Sequence, residues 1–305
     1  MAYFLGIDGG GTKTTCAVGD ESRVLATVTS GPSNIVRVGE GTARASLQQV
    51  VLQACAAAGI APEQVTRTCV GGSGAARPEL AETVRRILAE VLATPVVVVG
   101  DMEIALEAAF DAGPGVVVIA GTGSIAYGRD AHGNTARAGG WGFAIGDEGS
   151  AHWIGREAVR AVLQVADRTQ GRTPSYRYQQ FLNSLFHAWG VTSLIDLARI
   201  ANSIPPPNFA ALFPAVAASG DIVPNEILSN GAKELAHIAA IVAGRLFPAE
   251  IKNLRVAMVG GVFQHAPLVR GVFDTELRKF DPRVEVIPQV IEPVEGALRM
   301  ACRAT

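Results

Sequence analysis

The segment LGIDGGGTKT, residues 5–14, is the stretch from which the fold is predicted. An apolar strand is predicted over residues 3–7, and it leads directly into an aspartate and three glycines; a second strand is predicted over residues 14–18. Glycine has no Cβ, so the backbone can turn tightly here and bring its N–H groups close to a ligand. Consecutive N–H groups in such a turn form a concave anion site. Thr12 adds a hydroxyl donor and Lys13 adds a positive charge.

This segment differs from the two common phosphate-binding motifs. The P-loop pattern G-x-x-x-x-G-K-[ST] is absent, and the glycines are followed by a strand instead of the helix of a dinucleotide-binding fingerprint. For this segment alone, a glycine-rich hairpin without any ligand is the alternative.

Similar glycine turns follow two other predicted strands. Gly121, Thr122, Gly123 and Ser124 come after an apolar run at residues 116–120, and the pair Gly260 and Gly261 comes after a run at residues 254–259. In α/β sheets, ligands bind beyond the carboxyl ends of the strands. Three turns at such ends favour a ligand site over three unrelated loops.

The order of predicted elements occurs twice. Residues 3–111 predict three strands followed by helix, strand, helix, strand and helix, and residues 116–302 predict the same order around a helical insertion at about 168–221. Such a pattern is typical of an α/β fold with a mixed sheet that carries helices on both faces. We expect two lobes, 1–114 and 115–305, with a cleft between them and a last helix that could return to the first lobe. A single larger doubly wound domain is the alternative.

Three aspartates lie beside the glycine turns. Asp8 ends the first strand, where its carboxylate could hold Mg²⁺. Asp101 follows the strand at residues 95–99, and Asp147 precedes a predicted helix at residues 148–167; for these two a helix N-cap is the alternative. An anion cradle, a metal and a carboxylate that accepts a hydroxyl proton are what phosphoryl transfer needs.

Composition limits the remaining classes of function. The chain has 305 residues, of which 49% are hydrophobic and 18% charged, with a formal net charge of −2. A large core is therefore expected, and a general nucleic-acid binder is not. The four cysteines are scattered, the first residues lack a basic signal-peptide region and the apolar runs are too short for a membrane helix, so we expect a cytoplasmic protein.

Together these residues resemble the actin/hexokinase/Hsp70 ATPase superfamily, and more narrowly the BadF/BadG/BcrA/BcrD ATPase family in its N-acetylglucosamine kinase branch. The most specific match is GGWGFAIGDEGSAHWIG at residues 139–155. The other matching segments are residues 6–14, 31–34, 100–101, 120–124 and 259–262. The resemblance implies duplicated ribonuclease-H-like lobes, each with a mixed five-stranded sheet flanked by helices.

The resemblance also implies ATP-dependent phosphorylation of the 6-hydroxyl of an amino sugar. Small residues at Ala138 and Ala151 would leave room for an acetyl methyl group, which favours N-acetylglucosamine; glucosamine, N-acetylmuramic acid and glucose stay open. By similarity Asp101 would be the general base and Asp8 would organise Mg²⁺. Sugar contacts are implied for Asn34, Asp101, Gly140, Trp141, Gly142 and Asp147. Contacts to ATP are implied for Gly10, Gly11, Thr12, Lys13, Thr122, Gly123, Gly231, Gly260 and Gly261.

Two other classes of function remain as alternatives. One is an ATPase activator of a 2-hydroxyacyl-CoA dehydratase or benzoyl-CoA reductase, which would need cysteine thiolates for a shared iron–sulfur cluster. The other is a non-catalytic sugar sensor. We expect a small-molecule sugar as partner, no nucleic acid and no membrane, and a homodimer. His132 and His152 have no second ligand nearby in the sequence and are interpreted as surface or structural residues.

Overall fold

The computed structural model describes residues 2–72, 74, 77–169, 175–251 and 253–303. The first half contains β1 (Tyr3–Gly9), β2 (Thr14–Gly19), β3 (Val24–Ser30), α1 (Ile35–Ala58), β4 (Val65–Gly72), α2 (Pro78–Leu88), β5 (Val96–Gly100) and α3 (Asp101–Phe110). The second half contains β6 (Gly115–Ala120), β7 (Ser124–Arg129), β8 (Thr135–Gly139), α4 (Ala151–Thr169), α5 (Tyr176–Trp189), α6 (Leu194–Ala201), α7 (Phe213–Ala218), α8 (Ile222–Leu246), β9 (Leu254–Val259), α9 (Gly261–His265), α10 (Pro267–Phe280), β10 (Val284–Ile291) and α11 (Pro293–Arg303).

These elements form two units. The first unit combines Met1–Pro114 with Ile291–Thr305, and the second unit is Gly115–Val290. The last helix, α11, therefore belongs to the first unit although it ends the chain.

The two sheets have the same topology, which confirms the predicted duplication. The first has the strand order β3-β2-β1-β4-β5 and the second β8-β7-β6-β9-β10. In each, the first three strands are antiparallel neighbours and the fourth pairs in parallel with the first. Both are mixed five-stranded sheets flanked by helices.

The register of the first sheet brings three glycines side by side. Gly9 of β1 pairs with Gly72 of β4, and Gly72 pairs with Gly100 of β5. Because these strands are parallel, their carboxyl ends lie at one edge of the sheet. Asp8 comes one residue before Gly9 in β1, and Asp101 comes one residue after Gly100, at the start of α3, so both are placed at that edge.

Helices cover both faces of the first sheet. Alternate residues of β1 point to opposite faces, so Leu5 and Ile7 pack with α1 and α2, whereas Phe4 packs with α3 and α11. α11 lies unusually close to the sheet, since a β-carbon at Gly6 would stand 2.2 Å from the backbone nitrogen of Leu298.

The second unit has one large core, which includes the insertion. Apolar side chains of β6, α4, α8 and α10 pack together, and Phe181, Leu185 and Phe209 of the inserted segment join them. A β-carbon at Gly155 of α4 would stand 2.0 Å from the carbonyl oxygen of Phe209, so the insertion is held directly against α4. Within the predicted insertion at 168–221, residues 170–174 lie outside the described residues.

Some predicted boundaries are wrong, for local physical reasons. The spacing of apolar residues predicts the first helix over residues 41–58, but α1 begins at Ile35 and has a break at Gly39, which has φ of +76° and ψ of 162°. α4 begins at Ala151 instead of residue 148, because Asp147 and Gly149 both have positive φ, which an α-helix does not allow. The short helix α9 after Gly260 was not predicted.

The structure also bears on the cysteines and on membrane-spanning helices. The four cysteines, Cys16, Cys55, Cys69 and Cys302, are all free thiols. Within the described residues, no helix combines the length and hydropathy needed to cross a membrane.

Candidate active site

Two carboxylates lie together at the carboxyl edge of the first sheet. Asp8 is the penultimate residue of β1, and Asp101 is the first residue of α3, directly after β5. The pKa of Asp8 is raised to about 7, chiefly by burial and then by the charge of Asp101, while the charge of Lys13 opposes the rise. The sequence therefore placed both residues correctly at strand ends, and the structure brings their charges within reach of each other.

Asp101 is held in place by the first turn of α3. Its Oδ1 accepts a hydrogen bond from the N–H of Met102 at 3.0 Å. The cap of the helix is formed by a different residue, since the N–H of Gly100 donates to Glu103 Oε1 at 3.0 Å. Burial raises the pKa of Asp101 although the bond from Met102 lowers it. A carboxylate with a raised pKa is a stronger proton acceptor, as a general base requires.

The glycine turn between β1 and β2 is a tight hairpin. The N–H of Gly10 donates to the carbonyl of Lys13 at 3.0 Å. A β-carbon at Gly10 would stand 2.8 Å from that carbonyl oxygen, so the hairpin requires glycine there. Gly11 follows at the tip, and the side chains of Thr12 and Lys13 are exposed.

The loop that carries Asn34 is bonded to this hairpin. The carbonyl of Gly10 accepts the N–H groups of Ser33 and Asn34 at 3.1 and 3.3 Å, and the hydroxyl of Thr14 donates to Ser33 Oγ at 2.8 Å. Asn34 Oδ1 caps α1 by accepting the N–H of Arg37 at 3.3 Å. Since the cap uses the oxygen, the side-chain nitrogen is the group with which Asn34 could donate to a ligand.

A second hairpin joins β6 to β7 in the second unit. The N–H of Gly121 donates to the carbonyl of Gly123 at 3.0 Å. The first residues of α4 hold the hairpin carbonyls: the N–H of Ala151 donates to Gly121 at 2.8 Å, and that of His152 donates to Thr122 at 3.4 Å. With its carbonyls occupied by α4, this hairpin is rigidly oriented, as an anion cradle needs to be.

Asp147 connects this hairpin to the loop at residues 140–146. It is buried and has a φ of +62°, which is uncommon for a residue other than glycine. Its carboxylate accepts the backbone N–H of Gly142 at 3.2 Å and that of Ser124. Burial raises the pKa of Asp147 despite these bonds. The structure thus gives Asp147 backbone partners that the sequence did not reveal, and its sugar contact stays a prediction.

The loop itself presents apolar side chains to solvent. Trp141 is 68% exposed, and Phe143 and Ile145 are exposed as well. The guanidinium of Arg137 lies over the Trp141 ring, 4.8 Å from its centroid. Gly140 has a φ of +69° and its N–H donates to the carbonyl of Ser124 at 2.9 Å. Trp141 is therefore a surface ring available to a ligand and not a core residue.

The three other glycines predicted to contact the nucleotide, Gly231, Gly260 and Gly261, have different surroundings. Gly260, with φ of +100°, lies against the end of β6: a β-carbon would stand 2.6 Å from the carbonyl oxygen of Ala120. A β-carbon at Gly261 would have His265 as its nearest neighbour, at 3.8 Å, so there is room beside this glycine. Gly231 is buried in α8, where a β-carbon would stand 3.1 Å from the α-carbon of Gly149, so close packing explains the glycine there. Its contact to nucleotide stays a prediction.

Two further expectations are modified by the structure. Ala138 and Ala151 are buried in the core of the second unit, so their small size serves packing and does not support an acetyl pocket. The ring of His152 is packed between Phe143 and Phe209, with centroid distances of 4.9 and 5.2 Å. This arrangement links the loop to the insertion through aromatic contacts.

Asp8 and Asp101 fit a magnesium ion that is held partly by substrate phosphates better than a metal site built from protein ligands alone. No group of three or more histidines, cysteines, aspartates or glutamates that could hold a metal occurs in the described part of the chain. Mg²⁺ in phosphoryl-transfer sites usually needs only one or two carboxylates, together with waters and substrate phosphates. Burial and the nearby charge of Asp101 both raise the pKa of Asp8, and a bound cation would favour its ionised form instead.

The chain is similar to known proteins over nearly its whole length. The model of the BadF/BadG/BcrA/BcrD ATPase family matches residues 5–301. An N-acetylmuramic acid/N-acetylglucosamine kinase from Clostridium acetobutylicum is 30% identical over 316 residues, covering 99% of this chain and 98% of that protein. An N-acetyl-D-glucosamine kinase from Dictyostelium discoideum is 29% identical over 315 residues, covering 98% and 97%. The crystal structure of a candidate N-acetylglucosamine kinase from Chromobacterium violaceum matches with a TM-score of 0.76 at 23% identity, covering 99% of both chains. The last match shows a shared fold.

Proposed function

Since the chain belongs to the BadF/BadG/BcrA/BcrD ATPase family, we propose that it transfers the γ-phosphoryl group of ATP to the 6-hydroxyl of an amino sugar, with N-acetylglucosamine as the substrate. The observation that carries the proposal is the pairing of Asp8 and Asp101 beside the glycine hairpin at one sheet edge. The two curated relatives are both kinases of N-acetylated amino sugars, which supports this substrate class over glucosamine and glucose.

In the proposed reaction Asp101 is the general base. The sugar oxygen attacks the γ-phosphorus, a new O–P bond forms, and the bond from the γ-phosphorus to the bridging oxygen of ADP breaks. The hydroxyl proton goes to the Asp101 carboxylate. The bond from Met102 holds this carboxylate in position, and burial raises its pKa toward that of an effective acceptor.

The two hairpins are assigned to the ATP phosphates. In the first unit, Gly10 closes the hairpin through its bond to Lys13. Gly11, Thr12 and Lys13 would supply backbone N–H groups, a hydroxyl and a positive charge, and Thr122 and Gly123 of the second hairpin are assigned to the phosphates as well. Asp8 would hold Mg²⁺, which when bound neutralises charge on the phosphate oxygens. Gly260 and Gly261 are assigned to the adenosine, and Gly231 to a nucleotide contact whose register is open.

The sugar contacts are assigned to polar and flat groups near these hairpins. Asn34 would donate through its side-chain nitrogen, and Trp141 offers an exposed flat face to a pyranose or an acetyl methyl group. The N–H groups of Gly140 and Gly142 are bonded to Ser124 and Asp147, so these glycines are assigned to the sugar as places where the backbone approaches it closely. Asp147 is assigned to the sugar as well, and it shapes the loop by its bond to Gly142. The proposal also includes a cytoplasmic location and a homodimer, the latter to be measured by light scattering.

The cysteines speak against the activator alternative. An iron–sulfur cluster shared between subunits needs accessible thiolates. Cys16, Cys55 and Cys69 are buried, and burial raises the pKa of each thiol. Only Cys302 is half-buried, and a single such thiol per chain could not supply the usual four ligands, even in a dimer.

The test is release of ADP from ATP in the presence and absence of sugar. N-acetylglucosamine should stimulate ADP release strongly, and ³¹P–¹H correlation spectra of the product should place the phosphate on O6. The matched control is 6-deoxy-N-acetylglucosamine, which keeps every other group and should give no product. Sugar-independent ATP hydrolysis would favour the activator, and sugar binding without turnover would favour the sensor.

A further inference from the structure

An arginine lies directly on the exposed tryptophan of the proposed sugar loop. Arg137 is on β8, two residues before its end, and its guanidinium stands 4.8 Å from the centroid of the Trp141 ring. Although Arg137 covers part of the indole, Trp141 is still 68% exposed. The remaining ring surface is therefore open to a second flat partner such as a pyranose.

The guanidinium of Arg137 has no acidic partner among the residues that the structure describes. Two other exposed arginines of the second unit do have such a partner: Arg160 pairs with Glu157, and Arg199 pairs with Asp196, both at 2.8 Å. The nearby carboxylate of Asp147 is bonded to the loop backbone instead. The planar fork of Arg137 thus keeps its donors for a ligand, while the stacked ring limits the orientations it can take.

The backbone beneath Arg137 is also fixed. Its carbonyl accepts a hydrogen bond from Arg245 Nη1 of α8 at 2.7 Å. This bond holds β8 against α8 and brings a second guanidinium to the same place. Both charges are positive, so the surface around Arg137 favours an anionic ligand over a neutral one.

We propose that Arg137 is a specificity-determining residue that binds a carboxylate carried by the sugar, so that the substrates include N-acetylated amino sugars with an ether-linked carboxylic acid. This inference rests on the proposed function, since it takes Trp141 as part of the sugar site. A guanidinium can donate two parallel hydrogen bonds to a carboxylate, which a lysine ammonium cannot do with the same geometry. Arg137 acts on the choice of substrate and takes no part in the transfer of the phosphoryl group.

The experiment compares two sugars in matched variants. N-acetylglucosamine is the neutral probe, and N-acetylmuramic acid, which carries a lactyl ether on O3, is the anionic probe. Both are assayed by ADP release with wild type, Arg137→Gln, Arg137→Lys and the control Arg199→Gln, which removes one exposed positive charge from the same unit. Binding of both sugars is measured by calorimetry in the same variants.

With wild type, we expect turnover of both sugars. Arg137→Gln should lower kcat/KM for N-acetylmuramic acid at least tenfold and leave that for N-acetylglucosamine within about twofold, because only the charge-assisted bonds to the carboxylate are lost. Arg137→Lys should restore only part of the loss, and Arg199→Gln should change neither sugar.

Three results would overturn the inference while the proposed kinase function stands. They are turnover of N-acetylglucosamine with none of N-acetylmuramic acid in wild type, an equal loss for both sugars in Arg137→Gln, and no loss for either. Absence of turnover with every amino sugar would instead refute the proposed function, and the inference with it.

Discussion

The carboxylate of Asp147 lies against Gly123, so closely that a β-carbon on Gly123 would stand 2.7 Å from Asp147 Oδ2. Asp147 also accepts the N–H of Gly142. One buried side chain therefore joins the β6–β7 hairpin to the loop that presents Trp141. Any group added at Gly123 would displace this carboxylate, so hairpin and loop are mechanically connected through it.

Gly123→Ala should destabilise the protein by about 1–3 kcal/mol, because Asp147 must move and its backbone hydrogen bonds are strained or lost. The measurement is urea unfolding. Gly121→Ala is the matched control in the same hairpin, since nothing lies within 4 Å of its added carbon. We expect its stability to stay within about 0.5 kcal/mol of wild type. Equal stability losses in both variants would contradict this account.

Asp101→Asn should lower kcat by about 10²–10⁴-fold, the usual contribution of a general base. The asparagine keeps an oxygen for the Met102 N–H, so the unfolding free energy should change little. Glu103→Gln, two residues away, keeps the oxygen that caps Gly100 and should retain kcat within about twofold, well short of the loss expected when a base is removed. Steady-state kinetics measure kcat, and circular dichroism checks that each variant is folded. Normal turnover in Asp101→Asn would show that Asp101 is not the general base.

Asp8→Asn should stabilise the metal-free protein more at pH 8 than at pH 5. The pKa of Asp8 is about 7 in the folded protein, against an ordinary value of 3.8. The folded state holds this proton more tightly, so the free energy of unfolding falls as pH rises from 3.8 to about 7. Asparagine carries no charge, so the variant does not lose this stability; we expect the loss in wild type to be about 2–3 kcal/mol between the two pH values.

The measurement is chemical unfolding in EDTA at both pH values. Asp130→Asn is the control, because hydrogen bonds from the β7–β8 turn lower the pKa of Asp130, so it is ionised throughout this range. A benefit of Asp8→Asn that is the same at pH 5 and pH 8 would show that the pKa of Asp8 is not raised.

Gly296→Ala should cost about 3 kcal/mol or more, because a β-carbon there would stand 1.9 Å from the carbonyl oxygen of Ile104 in α3. α11 would have to move away from α3 and β1. The same substitution at Gly271, in α10, has nothing within 4 Å and should be neutral or stabilise by up to about 1 kcal/mol through helix propensity. In thermal unfolding, we expect Gly296→Ala to lower the melting temperature and Gly271→Ala to leave it unchanged or raise it. An unchanged melting temperature for Gly296→Ala would mean that α11 is loosely packed.

Much of the fold could be predicted because its signals are local. The strands β8, predicted over residues 135–139, and β9, predicted over residues 254–259, lie at the predicted residues, and most other elements differ from prediction by one to three residues. Apolar runs that end in glycine turns mark such strands without any knowledge of their neighbours. The early start of α1 was missed because Asn34 caps a first turn that breaks at Gly39, a combination with weak periodicity.

The candidate site was predicted less completely. The aspartates and glycine turns were identified by type and position, but the partners of Asp147, the packing of Gly231 against Gly149 and the position of Arg137 over Trp141 were not. Each of these depends on contacts between segments, or on a backbone conformation that residue type does not specify. Asp147, with its positive φ, is the clearest case.

By itself, the amino-acid sequence determined the order of strands and helices, their duplication and the glycine turns at strand ends, since these follow from hydrophobic period and backbone freedom along a few residues. Only the tertiary structure decided that Gly9, Gly72 and Gly100 share a register and so place Asp8 beside Asp101. It also decided that α11 closes the first unit. Strand register and helix docking are set by packing among residues far apart in the chain, and that information is not contained in any one segment.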